Sequence, residues 1–217
     1  MESAKFKQLA NKKVIVTGGA GFIGSHLCEE LVHLGAEVHS VDNFSSGKEI
    51  NIQFLKGHSN FYSHDVDITN KEALDQIMQG VDIVFNNAAS KKNICLMDPH
   101  RDLEVNAGGT LNLLELSMKH SVKKFIHAST GSVYGEPYIF PTTESHPYNP
   151  VSYYGVSKLA GERYVNTFNH LYGLNTTILR YFHVYGPRQE SNEFGGVVSI
   201  FLRNILEKKD LTIFGDG

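Results

Sequence analysis

Tyr154-Gly155-Val156-Ser157-Lys158 sets a phenol and an ammonium four residues apart, on one face of any helix that carries them. A nearby ammonium lowers the pKa of a phenol, and a cationic ring beside it lowers it further. The phenolate can then take the proton of an alcohol while hydride leaves the same carbon. Tyr and Lys at this spacing also occur by accident on surface helices, so the pair needs support from its surroundings. Upstream, Ala128-Ser129-Thr130-Gly131-Ser132-Val133-Tyr134-Gly135 ends a strand-like run, and a hydroxyl there, that of Thr130, could bridge Tyr154 and the alcohol.

A hydride needs an acceptor, and Thr17-Gly18-Gly19-Ala20-Gly21-Phe22-Ile23-Gly24 offers a place for one. Gly18 permits a tight strand-to-helix turn, Gly21 lets the backbone approach a pyrophosphate, and Gly24 lets helix and strand pack closely. The helix beyond presents free N–H groups and a positive dipole end to phosphates. Asp42 closes the next strand roughly 20 residues later, where a carboxylate bonds both ribose hydroxyls of NAD and repels the 2′-phosphate of NADP. The plainer reading of Asp42-Asn43 is a loop cap.

These residues require a scaffold that gathers strand ends along one edge. Short β-branched runs supply it: Lys13 to Thr17, Glu37 to Val41, Phe61 to Val66, Val81 to Phe85, Lys124 to Ser129 and Asn175 to Tyr181. Helix-like segments alternate with them at Gly24 to Leu34, Lys71 to Gln79, Pro99 to His120 and Tyr154 to Leu171. Thr69-Asn70 offers caps for the second, and Leu103, Val105, Leu111, Leu114 and Met118 are the expected buried positions of the third. Such alternation predicts an α/β fold, a doubly wound parallel sheet of the Rossmann type with helices on both faces. The expected domains are a dinucleotide-binding region over residues 1–185 and, over 186–217, the beginning of a smaller substrate-binding region that is cut short.

Composition narrows the partners. The 217 residues are 41% hydrophobic and 20% charged, an ordinary globular mixture. A net charge of −3 gives no basic footprint for nucleic acid or an anionic membrane. No apolar run approaches the ~18 residues of a membrane span, and Met1 to Lys13 lacks the apolar core of a signal peptide. Two cysteines, Cys28 and Cys95, make no disulfide framework, and the 11 histidines show neither HxxxH nor HExxH spacing. The expectation is a cytoplasmic protein without a metal.

TGGAGFIGSHL, the Asp42-Asn43 strand end, VNAGGTLNLLE, STGSVYGE, YYGVSKLAGER and RYFHVYGPRQ together resemble the nucleotide-sugar epimerase/dehydratase family, an extended branch of the short-chain dehydrogenases. The resemblance runs from about Lys12 to Gly217. It implies a retained NAD that oxidises a ring carbon of a nucleotide-activated sugar and returns the hydride. It also implies Gly18, Gly21, Phe22 and Ile23 along the pyrophosphate and Asp42 with Asn43 at the adenosine ribose. Asp67 and Ile68 would meet the adenine, with Asp65-Val66 as the rival alignment. Ala88, Ala89 and Lys91 follow the fourth strand where the family contacts cofactor and substrate, and Asn106 lies behind the site among the cofactor residues. Phe182 takes the nicotinamide side, and Thr130, Tyr154 and Lys158 the catalytic positions. Gly196 and Val197 would begin the uridine-side wall. Relatives pair through two long helices, here Pro99–His120 and Tyr154–Leu171, which implies a homodimer built on a four-helix bundle.

Departures from the family pattern bear on the reaction. The 4,6-dehydratases carry an Asp-Glu pair after the threonine, and the decarboxylases a glutamate beside Val-Tyr-Gly. Gly131 and Ser132 stand here and can do no acid–base work. The expectation is therefore epimerisation of a UDP-sugar, at C4, with Tyr154 as base. A dehydratase or reductase, or a truncated NAD-binding module without activity, are the alternatives. His183 replaces an asparagine common in relatives, as a substrate contact or as a structural histidine. In relatives the stretch matching Thr212–Gly217 leads into an arginine-bearing strand and the rest of the substrate pocket, so the expectation is either a fragment of a longer protein or a naturally shortened form.

Overall fold

The computed structural model describes residues 9–90, 92–192, 195–213 and 215. Two compact units divide at Phe182 and His183, three residues before the change of pattern expected from the sequence.

The first unit is built on six parallel strands: β1 (Lys13–Thr17), β2 (Glu37–Asp42), β3 (Phe61–Asp65), β4 (Ile83–Asn86), β5 (Lys124–Thr130) and β6 (Thr176–Tyr181). They lie side by side in the order β3-β2-β1-β4-β5-β6. The order reverses between β1 and β4, which opens a crevice at the carboxyl edge where ligands of such sheets bind. Strands buried on both faces read as unbroken apolar runs, and β1 does so. Val14 and Val16 pack with Cys28, Leu31 and Val32 of helix α1 (Phe22–His33). Ile15 points the other way, into a core with Val84, Phe125, Leu113 and Val165.

That second face is covered by α2 (Lys71–Ile77), by a long broken helix and by α6 (Tyr153–Tyr172). Short α3 (Lys92–Met97) precedes the broken helix, which runs as α4 (Pro99–Leu103), a wider π turn over Glu104–Gly109, and α5 (Thr110–Lys119). Asn70, offered as a cap by the sequence, accepts from Ala73 N–H; Asp98 likewise accepts from Arg101 N–H and Ser152 from Gly155 N–H, while Gly173 ends α6 at φ 70°.

The broken helix corrects one expectation. Val105 and Leu114 are buried, but Leu103 is 53% and Met118 37% exposed, and Leu111 is half-buried. Beside Val105, Leu113 and Leu114 the buried side of the broken helix carries polar residues, Asp102, Asn106, Thr110 and Ser117. A stripe chosen for apolar residues fails because the carboxyl end of this sheet presents polar groups that need polar partners.

The second unit holds α7 (Val197–Leu206), whose N-cap is Gly196. The Ser199 hydroxyl donates to the carbonyls of Glu190 and Gly196, at 2.7 and 2.8 Å. Among the described residues, no helix is long and apolar enough to cross a membrane.

Candidate active site

The glycine-rich turn leaves β1 at Thr17 and enters α1 at Phe22. Gly18 sits at φ 64°, where a side chain is strained, and donates its N–H to Val41. A Cβ on Gly24 would stand 2.0 Å from the Gly18 carbonyl oxygen, so only glycine lets the helix start this close to the strand. Gly21 caps α1 without a side-chain bond, leaving the N–H groups of Phe22 and Ile23 in the first turn without intrahelical acceptors.

Asp42, 8% exposed, accepts from Ala20 N–H at 3.0 Å and from Phe44 N–H at 2.9 Å. Burial raises its pKa despite these donors, so a further donor pair would be welcome there. A cleft of ≈ 210 Å³ opens above the ends of β1, β2, β3 and β4. Gly18, Gly21, Asp42, Asn43, Asp67, Ile68, Ala88 and Ala89 all line it. Free first-turn amides, a buried carboxylate and glycines that keep the floor clear fit a dinucleotide.

Asn43 and Asp67 are also tied to each other, Nδ2 to Oδ2 at 2.6 Å. Asp67 Oδ1 takes the Thr69 N–H and hydroxyl, and Arg101 closes on Oδ2. Burial opposes its charge, but these donors hold its pKa below the usual range.

Thr130 ends β5 and caps the turn that follows, accepting from Ser132 N–H at 3.1 Å and donating to the Ser132 hydroxyl at 3.2 Å. Tyr154 lies in the first turn of α6 and hydrogen-bonds with Thr130. Lys158, one turn on, is 1% exposed. The catalytic trio expected from sequence therefore comes together. Its protonation differs from the expectation, however. Burial pushes the Tyr154 phenol up to about 12, helped by Cys95 and Asp102 and resisted by the Thr130 bond. Burial pushes the Lys158 ammonium down to about 8 against the pull of Glu162 and Asp102. The ammonium is still charged at neutral pH, but burial outweighs any acidifying effect on the phenol.

Asn106, expected among the cofactor residues, spends its amide on the protein. Its Oδ1 accepts from Ser90 N–H at 3.0 Å, and its Nδ2 donates to Asp102 and Ser157 at 2.7 and 2.9 Å. At 1% exposure it braces the loop after β4 against α6 from behind. Phe182 lies at the end of β6 over Gly131, where an added Cβ would stand 2.9 Å from its ring. Lys91 lies outside the described residues. His183, Gly196 and Val197 belong to the second unit.

Several residues were missed in the sequence. Thr17, Asn86 and His127 lie in register across β1, β4 and β5. Thr17 donates to Asn86 at 2.9 Å and receives Ala88 N–H at 3.1 Å, so the row anchors the loop that floors the cleft. His127 is fully buried and held neutral, by burial and by Lys158. The available signal was a polar residue near the carboxyl end of each otherwise apolar strand. Asp102 accepts from Asn106 and the Cys95 thiol, the latter at 2.6 Å, and burial with this contact raises Cys95 to about 12. Among the described residues, no three His, Cys, Asp or Glu side chains gather as metal ligands.

The profile of the NAD dependent epimerase/dehydratase family matches residues 14–217. The UDP-glucose 4-epimerase of Mycolicibacterium smegmatis is 37% identical over 210 residues, covering 94% of this chain and 66% of the relative. UDP-glucuronic acid decarboxylase 1 of Xenopus tropicalis is 34% identical over 213 residues, covering 95% and 49%. The crystal structure of UDP-glucose 4-epimerase from Thermotoga maritima, solved with UDP-glucose, superposes with a TM-score of 0.88 at 42% identity, covering 94% of this chain and 66% of that one. The chain thus spans just under two thirds of the length of its epimerase relatives.

Proposed function

The chain belongs to the NAD dependent epimerase/dehydratase family, and from that premise we propose that it binds NAD and inverts C4 of a UDP-sugar. The observation that carries this reading is the trio Thr130, Tyr154 and Lys158 with no carboxylate at positions 131 and 132. Elimination and decarboxylation of sugars call for an acid or base beyond the one that handles the C4 hydroxyl. Epimerisation needs one proton acceptor that later gives its proton back.

NAD bound in the cleft supplies a reversible hydride acceptor and a positive charge beside Tyr154. The first-turn amides of α1 hold its pyrophosphate, and Asp42 holds the adenosine ribose. Asp67 and Ile68 flank the adenine, and Lys158 donates to the nicotinamide ribose. Tyr154 would take the proton of the C4 hydroxyl as the hydride leaves C4, with Thr130 bonded to both oxygens. Once the keto sugar has turned over, Tyr154 would return the proton to the C4 oxygen as the hydride comes back to the opposite face of C4. Lys91, His183, Gly196 and Val197 are assigned to the sugar nucleotide in this reading.

The decarboxylase relative keeps a second reaction class in view, but its glutamate would stand at Ser132, and the aspartate of the dehydratases at Gly131. An acidic side chain there would have to displace the Phe182 ring. We expect Gly131→Asp to yield no 4-keto-6-deoxy sugar, as read by NMR of the products after incubation with UDP-glucose. Appearance of that product would assign the dehydratase chemistry to this pocket.

The proposal includes a homodimer through α4–α5 and α6. Leu103, Met118, Val156 and Tyr164 stand 53, 37, 53 and 42% exposed on those helices, a row of large apolar groups suited to a four-helix bundle.

A further inference from the structure

Arg180 of β6 grips Glu162 of α6 with both ends of its fork, Nε to Oε1 at 2.9 Å and an Nη to Oε2 at 2.8 Å. The remaining donors reach the hydroxyls of Tyr134 and Tyr148 at 2.6 and 2.7 Å. Both rings also flank the guanidinium, 5.0 and 4.8 Å from it. This is a heavily built site for one arginine, and its carboxylate is 1% exposed.

Glu162 comes four residues after Lys158 and eight after Tyr154, so the three share a face of α6. A lysine and a glutamate at this spacing ordinarily pair, and burial strengthens the attraction. Yet among the described residues no carboxylate lies within ion-pair distance of Lys158, and Glu162 is taken by Arg180. The other groups facing Lys158 are Tyr154 on its own helix, Asp102 on α4 and His127 on β5. Among the described residues Glu162 meets two cations, Arg180 through direct bonds and Lys158 through the field along the shared helix face.

We propose that Arg180 is a positioning residue that holds Glu162 away from Lys158, leaving the buried ammonium unpaired for the ribose of the cofactor. This rests on the role given to Lys158 above. A lysine committed to a salt bridge on its own helix would have fewer donors to offer and would keep its proton too firmly to follow changes in the site. The bidentate fork and the two tyrosine hydroxyls give Glu162 a better partner than one ammonium could be. A bare staple between β6 and the loop carrying Tyr134 and Tyr148 would use the same bonds but would leave Lys158 indifferent to the charge at 162.

The test is an NMR titration of protein labelled at lysine 13Cε, without nucleotide or sugar, with Lys158 assigned through Lys158→Met. In the wild type burial is expected to bring the Lys158 midpoint down to about 8. Arg180→Met releases Glu162 to Lys158 and raises the midpoint by about 1–3 units. Glu162→Gln, which changes no volume, lowers it below the wild type. The double variant follows Glu162→Gln, and its NAD affinity recovers the roughly tenfold loss expected for Arg180→Met alone, a factor that corresponds to one charge-assisted hydrogen bond. A midpoint unmoved in Arg180→Met overturns the proposal. Should that variant fail to fold, an unmoved midpoint in Glu162→Gln does the same. The midpoint does not depend on turnover, so a chain inert toward every nucleotide sugar would sink the epimerase reading and leave this one standing.

Discussion

Lys158 gives up its proton in the folded chain at about pH 8, whereas an unfolded lysine holds it to about 10.4. Below the folded value the chain carries a buried, unpaired charge, and that cost disappears as pH rises from about 8 toward 10.4. Lys158→Met should therefore stabilise the protein without cofactor by roughly 1–3 kcal/mol at pH 7, a gain that shrinks toward pH 10. Urea melts at the two pH values check it, and a gain independent of pH would contradict it. The same substitution should weaken NAD binding, the usual conflict between stability and function at a site. Tyr154, raised to about 12 by burial, should titrate lower once NAD is bound, which ultraviolet difference spectra of the phenolate would follow.

Elements place these residues, and two junctions are critical. Where β1 turns into α1, Gly24→Ala would put a methyl against the Gly18 carbonyl, and we expect loss of NAD binding together with a lower Tm. At the π turn, Asn106→Ala strands the Ser90 N–H and leaves Asp102 with one donor fewer, at a cost of about 1–3 kcal/mol in a chemical denaturation series. The glycine turn was legible in sequence because glycine spacing and strand–helix context are local. So were the six strands and the Tyr-Lys pair. The π turn was not, since one extra residue in a helical turn leaves no periodic signature when the buried face is partly polar. Asn86 and His127 were hidden for a related reason: their significance lies in cross-strand register, which pairs residues 41 positions apart. Arg180 and Glu162 look like ordinary surface charges until β6 packs on α6.

At the scale of the molecule, the reversal of strand order between β1 and β4 brings four strand ends around one cleft, while the end of β5, the next strand after β4, and the start of α6 carry the trio. If α4–α5 and α6 also form a dimer interface, Leu103→Glu should convert a dimer to a monomer in light scattering while the circular dichroism spectrum stays unchanged. The most direct test of the central claim is incubation of the purified chain with NAD and UDP-glucose, followed by NMR of the sugar products, with Tyr154→Phe in parallel. We predict UDP-galactose without net consumption of NAD, falling by roughly 10²–10⁴-fold in the variant. A dehydrated 4-keto product, or UDP-galactose formed equally well without the phenol, would contradict the account.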